Sequence, residues 1–250
     1  MEVALETAGL SKRFGGIVAT NDVSLRVEKG ARHALIGPNG AGKTTLINLL
    51  TGVLRPTTGS ISLYDRDITA LEPHERVQLG IARTFQVNQL FPDMTPLETI
   101  GLAVSERMAL GWHWWKLFGR EPGVVEEVTE LIERFRLGDV MYERTAILPY
   151  GKQRLLEIAL AIACRPRVLL LDEPAAGVPE DERHEILSTI AALPKDVTVL
   201  LIEHDMDLVF SFADRISVLV NGGMFTEGAP DEVARDPRVK AIYLGETFDG

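Results

Sequence analysis

The chain has 250 residues, a formal net charge of −10 and a single cysteine. This length suits one large domain, or a core with a small subdomain, and the apolar content is sufficient for a buried core. The acidic balance argues against a dedicated nucleic-acid binder, and one cysteine excludes an internal disulfide. Because no apolar run has the length of a membrane span and no signal-peptide pattern is present, we expect a soluble, cytoplasmic protein.

The N-terminal part is predicted to form two strands, residues 3–10 and 23–27, on either side of a loop over 11–21. Phe14 lies in this loop beside two glycines. An aromatic ring there either stacks on a nucleobase or contacts the core, and its position alone favours neither.

The next stretch matches the phosphate-binding loop pattern G-x-x-x-x-G-K-[ST] at every fixed position. A short apolar run precedes it and a helical pattern over 45–52 follows, which is the context that the pattern requires. Glycines let backbone N–H groups converge on a polyphosphate, and the helix start adds partial positive charge. Lys43 is expected to neutralise the β- and γ-phosphates, and Thr44 to offer its hydroxyl to Mg²⁺. The predicted nucleotide-binding residues are Gly37, Pro38, Asn39, Gly40, Ala41, Gly42, Lys43, Thr44 and Thr45.

Beyond the loop, alternation of polar and apolar residues over 60–64 predicts an edge strand. A helix over 73–79 and a strand over 81–85 follow, with Gln86 at the carboxyl end of that strand. Ligands bind at this end of the strands in open α/β sheets, although a lone glutamine there is otherwise a solvated loop residue.

Residues 91–148 show no clear strand. A capping box at Thr95 opens a helix that runs to about Met108, and a second amphipathic helix covers 123–136. We interpret this stretch as a helical subdomain inserted into an α/β core. Between its helices, residues 112–118 contain all three tryptophans, which form either a local hydrophobic cluster or an exposed patch for a partner or a membrane interface.

The rest of the chain alternates helices with strands whose continuous apolar runs are typical of a parallel sheet. A helix over 151–164, with Cys164 as a core residue, precedes a strand over 168–171. A helix over 180–193 and a strand over 197–202 follow. A strand over 216–220, a glycine turn and two short helices over 230–244 complete the pattern.

Polar side chains follow two of these buried strands. Asp172 is expected to hold Mg²⁺, usually through a water, and Glu173 to act as general base for the attacking water. An acidic helix cap or a surface pair is the alternative for the two carboxylates. His204 is expected on the same rim as Lys43, where it would hydrogen-bond the γ-phosphate and the attacking water, whereas an isolated histidine is more often structural.

Together these motifs resemble the ATP-binding cassette (ABC) family along nearly the whole chain. Phe14 falls at the base-stacking aromatic, Gln86 at the Q-loop and His204 at the switch histidine. The other motifs are Walker A (37–44), the signature (148–152), Walker B (171–174) and the D-loop (175–178). Within the family, the strings at 82–86, 150–151, 173–177, 201–206 and 241–245 are similar to ATPase subunits of branched-chain (hydrophobic) amino-acid importers.

The resemblance implies an α/β fold: a P-loop NTPase (RecA-like) core with a mostly parallel sheet, an antiparallel β subdomain and an inserted α-helical subdomain. It implies one nucleotide-binding domain over 1–250, with the catalytic core in 1–90 and 149–250 and the insertion in 91–148. ATP and Mg²⁺ are the implied ligands. The implied catalytic residues are Glu173, His204 and Gln86, and the implied metal residues are Thr44, Gln86 and Asp172. Phe14 and the signature residues Pro149, Tyr150, Gly151 and Lys152 are implied to contact ATP.

The resemblance also implies partners. ATP would lie between the Walker A loop of one cassette and the signature of a second ABC ATPase subunit, identical or different. The pair would lie beneath transmembrane permease subunits at the cytoplasmic face of the cell membrane. It would serve a periplasmic or extracellular solute-binding protein indirectly and bind no nucleic acid. Hydrolysis would then energise uptake of a small solute, branched-chain or other hydrophobic amino acids.

The signature departs from the family's Leu-Ser-Gly-Gly-Gln, with Pro149, Tyr150 and Lys152 at three positions. Pro149 has neither a hydroxyl nor an N–H to offer a phosphate, although it suits the first turn of a helix. Gly151 keeps a backbone N–H and Lys152 adds a cation, so we expect ATP binding with altered affinity or rate. The alternatives are a soluble ABC ATPase of translation or DNA maintenance, a P-loop small-molecule kinase and an ABC subunit of an exporter.

Overall fold

The computed structural model describes residues 2–84, 90–108 and 122–244. Gln86 and the tryptophan-bearing segment 112–118 lie outside these ranges. The chain divides into two compact units. The first comprises residues 1–83, 167–173 and 194–250, and the second comprises 84–166 and 174–193. The second unit thus contains the predicted insertion 91–148 together with flanking residues on both sides.

An antiparallel sheet lies in the first unit. Its strands are β1 (Val3–Phe14), β2 (Ile17–Val23), β3 (Arg26–Glu28), β5 (Thr58–Leu63) and β6 (Arg66–Asp67). Their order is β2-β1-β5-β6, with β3 also paired to β1. The predicted loop over 11–21 was wrong, because β1 and β2 form a hairpin that turns at Gly15 and Gly16. Many hairpin side chains are polar and exposed, so the sequence shows little apolar alternation there. The predicted edge strand was also wrong in its placement, since β5 lies between β1 and the short β6.

The second sheet of this unit is mostly parallel, as predicted. Its strands are β4 (Arg32–Ile36), β7 (Ile81–Arg83), β8 (Val168–Asp172), β9 (Thr198–Ile202), β10 (Arg215–Val220) and β11 (Gly223–Gly228). Their order is β11-β10-β4-β9-β8-β7, and only the β10–β11 pair among them is antiparallel. The residues that follow β4, β8 and β9 therefore lie at one edge of the sheet.

Two hydrophobic clusters pack against opposite faces of this sheet. The helices of the unit are α1 (Lys43–Leu50), α2 (Pro73–Gln78), α7 (Met206–Phe212), α8 (Pro230–Arg235) and α9 (Pro237–Leu244). Leu35 joins the cluster that unites both sheets with α1. Its neighbours Ala34 and Ile36 point the other way, into a cluster with residues of α7, α8 and α9. This alternation explains why residues 34–36 of β4 are all apolar.

Three polar side chains of this sheet are linked by hydrogen bonds. The Ser217 hydroxyl donates to the Glu227 carboxylate at 2.7 Å, and His33 Nε2 lies 2.8 Å from the Ser217 oxygen. Because the serine proton is used toward the carboxylate, the imidazole donates from Nε2. Burial lowers the pKa of His33 to about 4; Glu227 opposes this shift and Arg215 adds to it. His33 is therefore neutral in the folded protein near neutral pH.

The second unit is helical in the residues that the structure describes. It comprises α3 (Pro96–Arg107), α4 (Pro122–Arg134), a 3₁₀ turn (Thr145–Ile147), α5 (Tyr150–Ala163) and α6 (Glu180–Ala191). Helix α3 packs against α4 and α5, and α5 packs against α6. Cys164, predicted as a core residue, is instead exposed just past the end of α5. Across the described ranges, no helix combines the length and apolarity needed to cross a bilayer.

Candidate functional site

The phosphate-binding loop connects β4 to α1 in the first unit. Gly42 immediately precedes the helix with φ 101°, a conformation that side-chain-bearing residues rarely adopt. A Cβ on Gly42 would lie 2.4 Å from the Ala19 carbonyl oxygen. Only glycine allows the hairpin backbone to approach the loop this closely, so the loop shape depends on the residue type at this position.

The Lys43 side chain folds back over the loop. Its ammonium donates to the carbonyl oxygens of Gly37 at 2.5 Å and Pro38 at 3.1 Å. Burial lowers the pKa of Lys43, while the negative charges of Glu173 and Asp172 oppose that shift. Lys43 therefore lies close enough to Asp172 and Glu173 for their charges to interact, as the sequence predicted.

Asp172 ends β8 and is held by an arginine that the sequence analysis missed. Arg83, at the end of β7, donates from Nη2 to the Asp172 carboxylate at 2.8 Å and from Nη1 to the Asn48 side-chain oxygen at 2.6 Å. Since Asn48 lies on α1, one guanidinium joins three elements that carry the site. This contact could not be predicted from the sequence, because the spacing of residues 48, 83 and 172 does not indicate that they are close in the fold.

Glu173 has an unusual backbone for its residue type. Its φ is 47°, in the left-handed region, and its N–H donates to the Ile202 carbonyl at 2.9 Å. Strained conformations of this kind persist when the surrounding structure enforces them, and they cluster at functional sites. The side chain is turned toward His204, whose Nδ1 lies 3.9 Å from Glu173 Oε1 and 3.7 Å from Glu203 Oε2. The His204 side chain is 64% exposed, so it can meet a ligand.

Two oxygen donors at this edge suit Mg²⁺, which prefers carboxylate and hydroxyl oxygens beside phosphates. The Thr44 side chain is exposed at the start of α1, and the Asp172 carboxylate is fixed in position by Arg83. These donors fit the predicted metal role. Gln86, the third predicted metal residue, lies outside the described residues.

Phe14 ends β1 and remains 46% exposed. The Lys12 ammonium lies 5.2 Å from the centre of its ring. Since the ring is only partly buried, the core alternative raised from the sequence is not realised, and one part of its surface is open for stacking.

The signature residues lie in the second unit, at the start of α5. Pro149 is the N-cap residue, and Tyr150 begins the helix with 36% of its surface exposed. The Gly151 N–H donates to the Glu182 carboxylate of α6 at 2.8 Å. Lys152 donates to the Arg136 carbonyl at 2.6 Å and pairs with Asp139 and Glu185. Glu182 was not predicted from the sequence, since 31 residues separate it from Gly151.

A strand–loop–helix phosphate cradle beside a strand that ends in a carboxylate is the arrangement of the P-loop nucleoside triphosphatases, and the first unit has it. A family model described as "ABC transporter" matches residues 20–176, and one described as "Branched-chain amino acid ATP-binding cassette transporter" matches residues 225–249. The chain belongs to the ABC transporter family and is one of its ATP-binding, ATP-hydrolysing cassettes. Membership confirms the predicted family and removes the small-molecule kinase alternative.

Relatives with known names match over nearly the full length. The chain is 41% identical to the high-affinity branched-chain amino acid transport ATP-binding protein BraF of Pseudomonas aeruginosa, covering 97% of this chain and 98% of BraF. It is 39% identical to LivG of Escherichia coli, with the same coverage. Among solved structures, an ATP-binding cassette of an ABC transporter in its ADP conformation matches with a TM-score of 0.82 and 34% identity, covering 98% of this chain and 100% of that one. The predicted fold class is thereby confirmed.

Proposed function

We propose that this cassette binds ATP with Mg²⁺ and couples its hydrolysis to uptake of branched-chain or other hydrophobic amino acids. The observation that carries the ATPase part is the meeting of Lys43, Asp172, Glu173 and His204 at one edge of the parallel sheet. The named relatives that share about two fifths of its residues over nearly the whole chain support the transport part.

Each of these residues has its own role in ATP binding and hydrolysis. Lys43 neutralises charge on the β- and γ-phosphates, and backbone N–H groups of the loop contact the phosphate oxygens. Glu173 accepts the proton of the attacking water, and His204 orients that water and the γ-phosphate. Thr44 and Asp172, with Gln86, would hold Mg²⁺, which would supply charge neutralisation at the phosphates. Phe14 stacks on the base.

Assembly with other subunits completes the site. The signature residues Pro149, Tyr150, Gly151 and Lys152 face ATP held by a second cassette, either a copy of this chain or a different one. Permease subunits hold the pair at the cytoplasmic face of the membrane, and a solute-binding protein delivers the amino acid to them. The Gln86 loop and the helices of the second unit transmit closure of the cassettes to the permease.

Isolation of the membrane complex through an affinity tag on this chain tests the proposal. We expect permease subunits and a second cassette to co-purify, and the complex in proteoliposomes to accumulate radiolabelled leucine when ATP is supplied on the cassette side. A Lys43→Ala complex is the control, since it should assemble and accumulate no leucine. Co-purification of ribosomes or DNA instead of permeases would contradict the proposal. ATP-driven movement of leucine from the cassette side toward the binding-protein side would also contradict it.

A further inference from the structure

A side-chain carboxylate from the same chain accepts a hydrogen bond from the first turn of α5. Gly151 is the second residue of this helix, and its N–H donates to Glu182 Oε2 at 2.8 Å. Glu182 lies in the first turn of α6, so the two residues come from neighbouring helices of the same unit. A charged acceptor on a helix N-terminal amide makes a stronger bond than a neutral one.

The contact is close enough to require glycine. A Cβ placed on residue 151 would lie 2.2 Å from the same Glu182 oxygen and 3.1 Å from Glu182 Cβ. Any larger residue would push the carboxylate off the amide. The absence of a side chain at Gly151 therefore serves the intramolecular contact as well as any approach by a phosphate.

The cation of the signature is also engaged within the chain. Lys152 Nζ lies 3.2 Å from Asp139 and 3.6 Å from Glu185, and only 16% of its side chain is exposed. The cation expected to compensate for Pro149 thus already faces two carboxylates. In this arrangement the signature presents acidic groups where the proposed function requires it to receive a triphosphate.

We propose that Glu182 competes with the γ-phosphate for the Gly151 amide and thereby weakens the half-site that this signature completes. The inference rests on the proposed function, in which ATP on a second cassette meets this signature. One amide proton serves one strong acceptor at a time, and two anions at one donor repel each other. Closure of this half-site therefore requires the Glu182 carboxylate to leave.

The test uses the complete transporter, isolated with the cassette that pairs with this one. Retention of a labelled, non-hydrolysable ATP analogue after rapid desalting is measured over a range of analogue concentrations. Glu182→Gln removes the charge and keeps a side-chain oxygen for the amide, and Glu182→Ala removes both. Glu180→Gln is the matched control, because Glu180 is exposed in the same turn of α6.

We expect Glu182→Gln to lower the analogue concentration for half-maximal retention by about tenfold, the lower end for one charge-assisted hydrogen bond. The Glu180→Gln complex should match the unaltered one. Equal or weaker retention by Glu182→Gln would overturn the inference, as would no retention by either complex. Glu182→Gln carries this decision if Glu182→Ala impairs folding. ATP-driven leucine uptake by the unaltered complex is measured separately, so that a failed inference with intact uptake leaves the proposed function standing.

Discussion

Arg76 links the helix of the phosphate-binding loop to the next part of the chain, and its replacement should destabilise the first unit. The side chain is 1% exposed. Its Nη1 donates to the carbonyls of Leu49 at 2.7 Å and Leu50 at 2.9 Å, which end α1. Its Nε donates to Leu71 and its Nη2 to Thr69, both at 3.0 Å. One guanidinium therefore satisfies four carbonyl groups.

The loss in the free energy of unfolding can be estimated from these hydrogen bonds. In Arg76→Met the Leu49 oxygen still accepts the Gly52 N–H at 3.2 Å, whereas Leu50, Leu71 and Thr69 each lose the bond from Arg76. At about 1 kcal/mol for each lost bond, the free energy of unfolding should fall by about 3 kcal/mol. Burial lowers the pKa of Arg76, which shows that burying its charge carries a cost. Removing that charge recovers part of the cost, so we expect no larger loss.

Urea unfolding followed by circular dichroism measures this change. Arg66→Met is the matched control, because Arg66 is exposed in β6 of the same unit. The control should stay within about 0.5 kcal/mol of the unaltered protein, as surface substitutions usually do. An Arg76→Met midpoint equal to that of the control would show that the carbonyls of Leu50, Leu71 and Thr69 do not depend on this guanidinium.

Two further predictions concern pH and the phosphate loop. Burial lowers the pKa of His33 to about 4 in the folded protein, below its value in the unfolded chain. The unfolded chain therefore binds the proton first as the pH falls. The free energy of unfolding should drop by about 3 kcal/mol between about pH 6.5 and pH 4. Thermal melts across that range should show a shallower pH dependence for His33→Gln, and identical slopes would contradict this. Gly42→Ala should lower the affinity for a fluorescent ATP analogue by more than about tenfold, because φ 101° and a Cβ 2.4 Å from Ala19 oxygen forbid the loop shape. A binding isotherm like that of the unaltered chain would show that the loop adapts.

The sequence was informative where local pattern and burial coincide. Apolar runs such as 168–171 and the glycine pattern around Lys43 predicted the parallel sheet and its ligand-binding edge, because each is encoded in a few adjacent residues. The β1–β2 hairpin was not predicted, because polar and apolar residues do not alternate regularly over residues 11–21 and several apolar side chains there are exposed. Helix α7, short and close behind His204, was also missed.

Contacts between residues far apart in the chain were also not predicted from the sequence. Arg83 with Asp172 and Glu182 with Gly151 join positions 89 and 31 residues apart, and neither pair has a spacing that signals a contact. The left-handed backbone of Glu173 likewise arises from the strand–turn geometry and leaves no mark on composition. These features decide how the carboxylates are held, and none of them was predicted from the sequence.

The role of Glu173 is the claim on which the ATPase mechanism depends most directly. Steady-state phosphate release by Glu173→Gln, measured beside equilibrium binding of a fluorescent ATP analogue, tests it. We predict unchanged binding and a rate of hydrolysis lower by about 100-fold or more, as expected for loss of a general base. Hydrolysis at the unaltered rate with normal binding would show that Glu173 is not the general base.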